Sequence, residues 1–172
     1  MIGALNKLND PSIHLTFAGN CSNDFKTYLT ENANNILQQI HLAGIISPDE
    51  IPAFAANFDV GLALELTIPD NRNICLTNKV FTYLLAGNAM ILSDTAMQKA
   101  FNEEYKIGEV FPADNVDLLM EKILYYKKNS RALDKQRTRN YELGKMEMNW
   151  EKESVKLISA LSNLNIRNYG DK

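Results

Sequence analysis

A chain of 172 residues, 45% hydrophobic and 23% charged, has the length and apolar content for one folded core and not for several. Its net charge of −3 and pI near 5.4 exclude a protein that grips nucleic acid through a general basic surface, which needs an excess of Lys and Arg to displace counterions. Cys21 and Cys75 have neither zinc-site spacing nor a secretory context, no signal peptide opens the chain, and no run approaches the roughly 18 apolar residues of a membrane span. The composition predicts a soluble cytoplasmic protein with free thiols.

In chain order, Ala4, Leu5 and Leu8 form a helical stripe that Asn9-Asp10-Pro11 ends. "IHLTFAG" (13–19) reads as a strand closed by Gly19, "FKTYLTENAN" (25–34) as a short helix, and "ILQQIHLAG" (36–44) as a second strand, in its later half, closed by Gly44. Ser47, Pro48 and Glu50 carry a capping-box signature for a helix over 47–58, with Pro52 a cost inside it or the mark of a very short first turn. "DVGLALEL" (59–66) is almost continuously apolar, as in a strand buried on both faces of a parallel sheet. The loop 67–77 follows, then a helix from Asn78 ended by Gly87, and the strand "AMILSD" (89–94).

A helix over 95–104 and a strand over 107–111 come next. The helix 115–129 places Val116, Leu119, Met120, Ile123 and Leu124 on one face. Two further helices span about 131–148 and 150–164, the last capped by Asn149, and residues 165–172 form a polar tail. Strand and helix alternating with short links predict a parallel sheet with helices on both faces, and ligands in such sheets bind beyond the carboxyl ends of the strands. His14 and His41 fit packed or edge positions better than ligand positions. The cations Lys127, Lys128, Arg131, Lys135, Arg137 and Arg139 fit a solvated helix face.

The chain has no GxxxxGK[ST] loop, no GxGxxG fingerprint, no GxSxG elbow, no HExxH and no CxxC. No metal-ligand set or catalytic group stands out. The strongest local signal is "TNKVFTYLLAGNAMILSD" (77–94). Thr77 can cap the helix, its free N–H groups and dipole favour an anion, and Lys79 adds a full charge beside the hydrogen-bonding Asn78. That combination suits a diphosphate.

The ordered set "HLTFAGN", "IHLAGII", a short acidic helix with Pro, "DVGLALE", "NKVFTYLLAG" and a strand ending in Ser-Asp resembles the C-terminal donor-binding domain of the group-one, family-four glycosyltransferases. The closing segments "DNVDLLMEKI" and "WEKESVKLI" extend the likeness over about 4–161. The resemblance implies an α/β, Rossmann-like three-layer sandwich with a parallel sheet, one half of a GT-B fold, lacking its first strand. Residues 1–164 would form the donor domain, a fragment of a two-domain enzyme.

By the same resemblance, Gly19 and Asn20 would lie near the donor diphosphate, Gly44 and Ile45 against the nucleobase, and Asn78 and Lys79 near the phosphates and sugar. Thr82 stands where the family has a ribose-binding Glu, and its hydroxyl forfeits the charge-assisted bonds of a carboxylate. Ile74 stands near the family's earlier Glu and offers a sugar no polar group. The implied reaction is transfer of a sugar from a nucleotide diphosphate to a hydroxyl acceptor with retained anomeric configuration, as in polysaccharide biosynthesis. It needs no cofactor and no metal, because helix dipoles and cations stabilise the leaving diphosphate.

The acceptor, a glycan or lipid-linked glycan, would bind through a missing N-terminal domain, and the full-length protein would be cytoplasmic or peripheral at the inner membrane. The chain alone is expected to be inactive. Two alternatives stay open, namely a non-catalytic descendant serving as a structural or interaction module, and a nucleotide-sugar epimerase on the same fold.

Overall fold

Apolar strand runs separated by amphipathic helices give five strands, all paired in parallel, in a computed structural model that describes residues 1–163. Residue 164 and the predicted tail 165–172 lie outside the described residues. The strands are β1 (Leu15–Ala18), β2 (Ile40–Gly44), β3 (Val60–Ala63), β4 (Ala89–Ser93) and β5 (Gly108–Phe111). The helices are α1 (Ile2–Leu8), α2 (Asn23–Asn32), α3 (Ile51–Ala55), α4 (Asp70–Asn73), α5 (Asn78–Ala86), α6 (Ala96–Tyr105), α7 (Val116–Lys128), α8 (Ser130–Met146) and α9 (Trp150–Asn163).

The sheet differs from a single continuous one. β1 pairs with β2, β3 with β4 and β4 with β5, but β1 and β3 share no ladder. Set against the doubly wound order 3-2-1-4-5-6, β2 and β1 match its strands 3 and 2, and β3, β4 and β5 match its strands 4, 5 and 6, which leaves the place of strand 1 between β1 and β3. Among the described residues no strand stands there. Helix α1 packs into the cores of both parts: Ile2 and Leu5 join Leu15, while Ala4 joins Ala89 and Ile91.

The alternation of β4 makes the layers. Ala89 and Ile91 pack with Phe111, Leu119 and Tyr126 on one face, and Met90 and Leu92 pack with Ala63, Val80, Leu84 and Ile107 on the other. Every residue of β4 is buried because it has strands on both sides and helices on both faces. β3 corrects the expectation of burial on both faces. Gly61 and Ala63 are buried under α5, but Val60 and Leu62 are only half covered, since β3 has a strand on one side alone.

The predicted capping box at Ser47 does not form. Pro52 has no N–H to bond the Pro48 carbonyl, so residues Pro48–Glu50 close as a 3-10 turn and α3 restarts at Ile51. Glu50 N–H instead reaches the Ser47 main-chain oxygen at 2.9 Å. Asn149 does cap α9, with its Oδ1 accepting from Lys152 N–H at 3.0 Å.

Helix α5 is fixed closely at its C-terminal end. Gly87 ends it at φ 69°, where its N–H bonds Leu84 O and that of Asn88 bonds Tyr83 O. Gly144 of α8 lies so near that a Cβ there would sit 2.8 Å from the Leu84 carbonyl carbon and 2.9 Å from Leu85 N. Main chain cannot yield as a side chain can. Gly144→Ala is therefore expected to lower stability by about 1–3 kcal/mol, seen as a lower urea midpoint at unchanged slope. An unshifted midpoint would mean that α8 slides at no cost.

Half of the cationic run departs from the expected solvated face, while Lys128, Arg131 and Lys135 are exposed as expected. Lys127 pairs with Asp10 and Ser12, Arg137 with Asp59 and Gly87 O, and Arg139 with Tyr105 O. No helix among the described residues is long and apolar enough to cross a membrane.

Candidate functional site

Two clusters form where strands end. The first lies beyond β1 and β2, which Gly19 N–H joins by a 2.7 Å bond to Gly44 O. A cavity of about 210 Å³ opens there, lined by Gly19, Asn20, Cys21, Lys26, Leu42, Gly44 and Ile45. The four predicted residues of these loops are thus brought together. Ser22 caps α2 through its Oγ, which accepts from Phe25 N–H at 3.2 Å, and this sets Lys26 on the first turns of the helix beside the cavity. Lys26, Cys21 and Leu42 escaped the sequence reading. The signal for Lys26 was its place four residues after a Ser that precedes an amphipathic run.

The second cluster lies beyond β3. Glu65, two residues past the strand, is 7% exposed, and its main-chain N–H donates to Ser93 Oγ at 2.9 Å. Its carboxylate takes Lys79 Nζ at 2.5 Å, the Thr77 hydroxyl at 3.3 Å and, more distantly, Arg72 Nη1 at 3.9 Å. This corrects the expected role of Thr77: it makes no side-chain cap for α5, because its hydroxyl is drawn to Glu65. The first-turn N–H groups of α5 are left without that partner. Two cations against one carboxylate leave a net positive charge at a helix start, which favours an anion.

Lys79 and Arg72 remain about half exposed, at 47% and 54%, so both can also reach a ligand. Asn78 is exposed and Thr82 half buried, one turn further along α5. Ile74, in the loop before α5, is 67% exposed. Glu65 was hidden in the run "DVGLALEL", where a carboxylate among apolar residues was the available signal. Arg72 lies on α4, inside the segment 67–77 that reads as a polar loop, with no pattern to single it out.

Next to this cluster, Asn73 Oδ1 accepts from Ala96 N–H at 2.9 Å and holds the loop against the start of α6. Thr95 Oγ1 and both amide atoms of Gln98 are buried there without a hydrogen-bond partner. Elsewhere, His14 Nδ1 and His41 Nε2 lie 3.1 Å apart in an exposed stack across β1 and β2, an edge position as expected. Among the described residues no three His, Cys, Asp or Glu side chains group as metal ligands would.

The fold has close counterparts. Three crystal structures of Anabaena Alr3699/HepE align with 95% of this chain: the complex with UDP at a TM-score of 0.77 and 15% identity, that with UDP-glucose at 0.74 and 14%, and that with UDP and glucose at 0.75 and 14%. The chain has the Rossmann-like architecture of one half of a GT-B fold. It spans 44% of the length of those chains. No protein-family model and no curated protein matches the sequence.

Proposed function

We propose that this chain is the nucleotide-sugar-binding half of a retaining glycosyltransferase of the group-one, family-four kind. The observation that carries the reading is the cation pair Lys79 and Arg72 gathered at the open start of α5, beyond the end of β3. Its support is the fold, whose counterparts are complexes of UDP and UDP-glucose. The diphosphate would lie against Asn78 and Lys79 with Gly19 and Asn20 nearby, and Lys26 adds a further cation on that side. The base would rest in the cavity at Gly44 and Ile45, and the Thr82 hydroxyl would face the ribose.

Sugar would pass to a hydroxyl of a glycan or lipid-linked glycan held by a second, N-terminal domain, in the service of polysaccharide assembly at the cytoplasmic side of a membrane. The exposed apolar side chains of α9, Trp150, Val155, Ile158 and Leu161, suit contact with such a domain. Stabilisation of the departing diphosphate falls to Lys79, Arg72 and the α5 dipole, fixed charges that need no reorganisation as the bond breaks.

Calorimetric titration of the chain with UDP, GDP and ADP tests the donor site. Saturable binding of one nucleotide, with a Kd in the range of about 1 μM to 1 mM, is expected. Binding of none would remove the reading of a working donor module and favour the non-catalytic alternative, to which Thr82 and Ile74 already lean.

A further inference from the structure

We infer that Glu65 is a positioning residue: its buried carboxylate fixes the ammonium of Lys79 in the place where that cation meets the ligand's phosphates. This rests on the donor-site reading above but adds a residue that the diphosphate itself would repel. Four observations lead to it.

The Glu65 side chain is only 6% exposed, which a carboxylate tolerates when its charge is compensated. Its main chain is anchored by the bond to buried Ser93 at the end of the neighbouring strand. It draws in groups from two elements, Arg72 of α4 and Lys79 of α5, as well as Thr77 at the start of α5. Finally, Lys79 is itself about half exposed, so one side of its ammonium faces Glu65 and another remains open.

A free lysine side chain samples many rotamers, and ordering it on a ligand costs entropy. A lysine already held by a rigid, buried carboxylate has lost that freedom before the ligand arrives. Its three donors can serve Glu65 and a phosphate oxygen together. Glu65 thus exchanges some electrostatic repulsion of the phosphates for a fixed cation, the arrangement expected of a supporting residue behind a binding group.

The two effects have opposite signs, which makes the proposal testable. Replacing Glu65→Gln removes a negative charge beside the phosphates and frees Lys79. If positioning dominates, UDP binding weakens by about tenfold while uridine binding, which lacks the phosphates, is unchanged. UDP binding that is unchanged or tighter overturns the proposal, because Glu65 then only competes with the ligand. Equal weakening of UDP and uridine also overturns it, as a general structural loss.

A second measurement does not depend on nucleotide. Lysines labelled by reductive 13C-methylation give one signal each, with that of Lys79 assigned from Lys79→Arg. Glu65→Gln should move the Lys79 signal to the position of free surface lysines, and an unmoved signal overturns the proposal. If the wild-type chain binds no nucleotide, the donor-site reading fails, and this signal still decides the role of Glu65. Should Glu65→Gln not fold, Glu65→Asp, which withdraws the carboxylate by one methylene, takes its place with the same expected directions.

Discussion

Asn140→Leu will destabilise the protein by about 2–5 kcal/mol, a large share of the stability of a domain this size. Asn140 is wholly buried on α8, and its amide donates to Asn88 O at 2.7 Å and to Ile107 O at 2.8 Å. Its own oxygen accepts from Gln136 Nε2 at 2.9 Å. One side chain therefore satisfies main-chain carbonyls at the starts of both β4 and β5 and fastens α8 to them. Asn88 extends the network, with its amide donating to Ala55 O at 2.9 Å and Phe58 O at 2.6 Å beside α3. Leucine has a similar volume but leaves two buried carbonyls unpaired, each worth roughly 1–3 kcal/mol. Urea unfolding followed by far-UV circular dichroism measures the change, and a loss below about 1 kcal/mol would show that water replaces the amide without penalty.

Lys79→Ala will weaken UDP binding by about 10- to 100-fold and leave uridine binding within about twofold. The charge-assisted bond from lysine to phosphate accounts for roughly 1.5–3 kcal/mol. A second contribution comes from Glu65, which loses its 2.5 Å partner and confronts the diphosphate with only Arg72 and Thr77 to offset it. The double variant Lys79→Ala, Glu65→Gln should accordingly bind UDP no worse than Lys79→Ala alone, a non-additivity that marks two side chains acting as a unit. Calorimetry on the four proteins closes the cycle. Equal loss of UDP and uridine affinity in Lys79→Ala would place Lys79 outside the phosphate contact.

The legible part of the fold followed from periodicity. Strands at 13–19, 89–94 and 107–111 were each found within a few residues, because an apolar run between turn residues has few other solutions. Four of the five residues expected on the apolar face of α7 pack in one core, with Leu119 buried and Val116, Met120 and Ile123 against it, while Leu118 joins them in place of Leu124. Gly87 and Asn149 ended and began helices as their chemistry demands, since these effects reach only a turn along the chain. The capping readings at Ser47 and Thr77 failed for different reasons. Pro52 has no N–H for the Pro48 carbonyl, so the first turn closes as a 3-10 turn with Glu50 N–H on the Ser47 main-chain oxygen, and Glu65, twelve residues before Thr77, offered its hydroxyl a charged acceptor.

The site divided in the same way. Gly19 and Gly44 were legible as strand ends, which in a parallel sheet share one edge, and the resemblance added Asn20 and Ile45; the four line one cavity. Lys79 was legible as a cation at a helix start. Glu65 and Arg72 were not, because what distinguishes them is the contact of the Glu65 carboxylate with Arg72 of α4 and Lys79 of α5, which no local pattern encodes.

By itself the sequence determined the strand order and the parallel class, and every α-helix of the described residues except the short α4 inside the expected loop 67–77, since these depend on hydrophobic period and local backbone chemistry. Only the tertiary structure decided that the sheet runs in two parts with α1 packed into both cores, and that a buried glutamate holds the candidate cation. Both are set by side chains distant in sequence competing for the same space and the same charge.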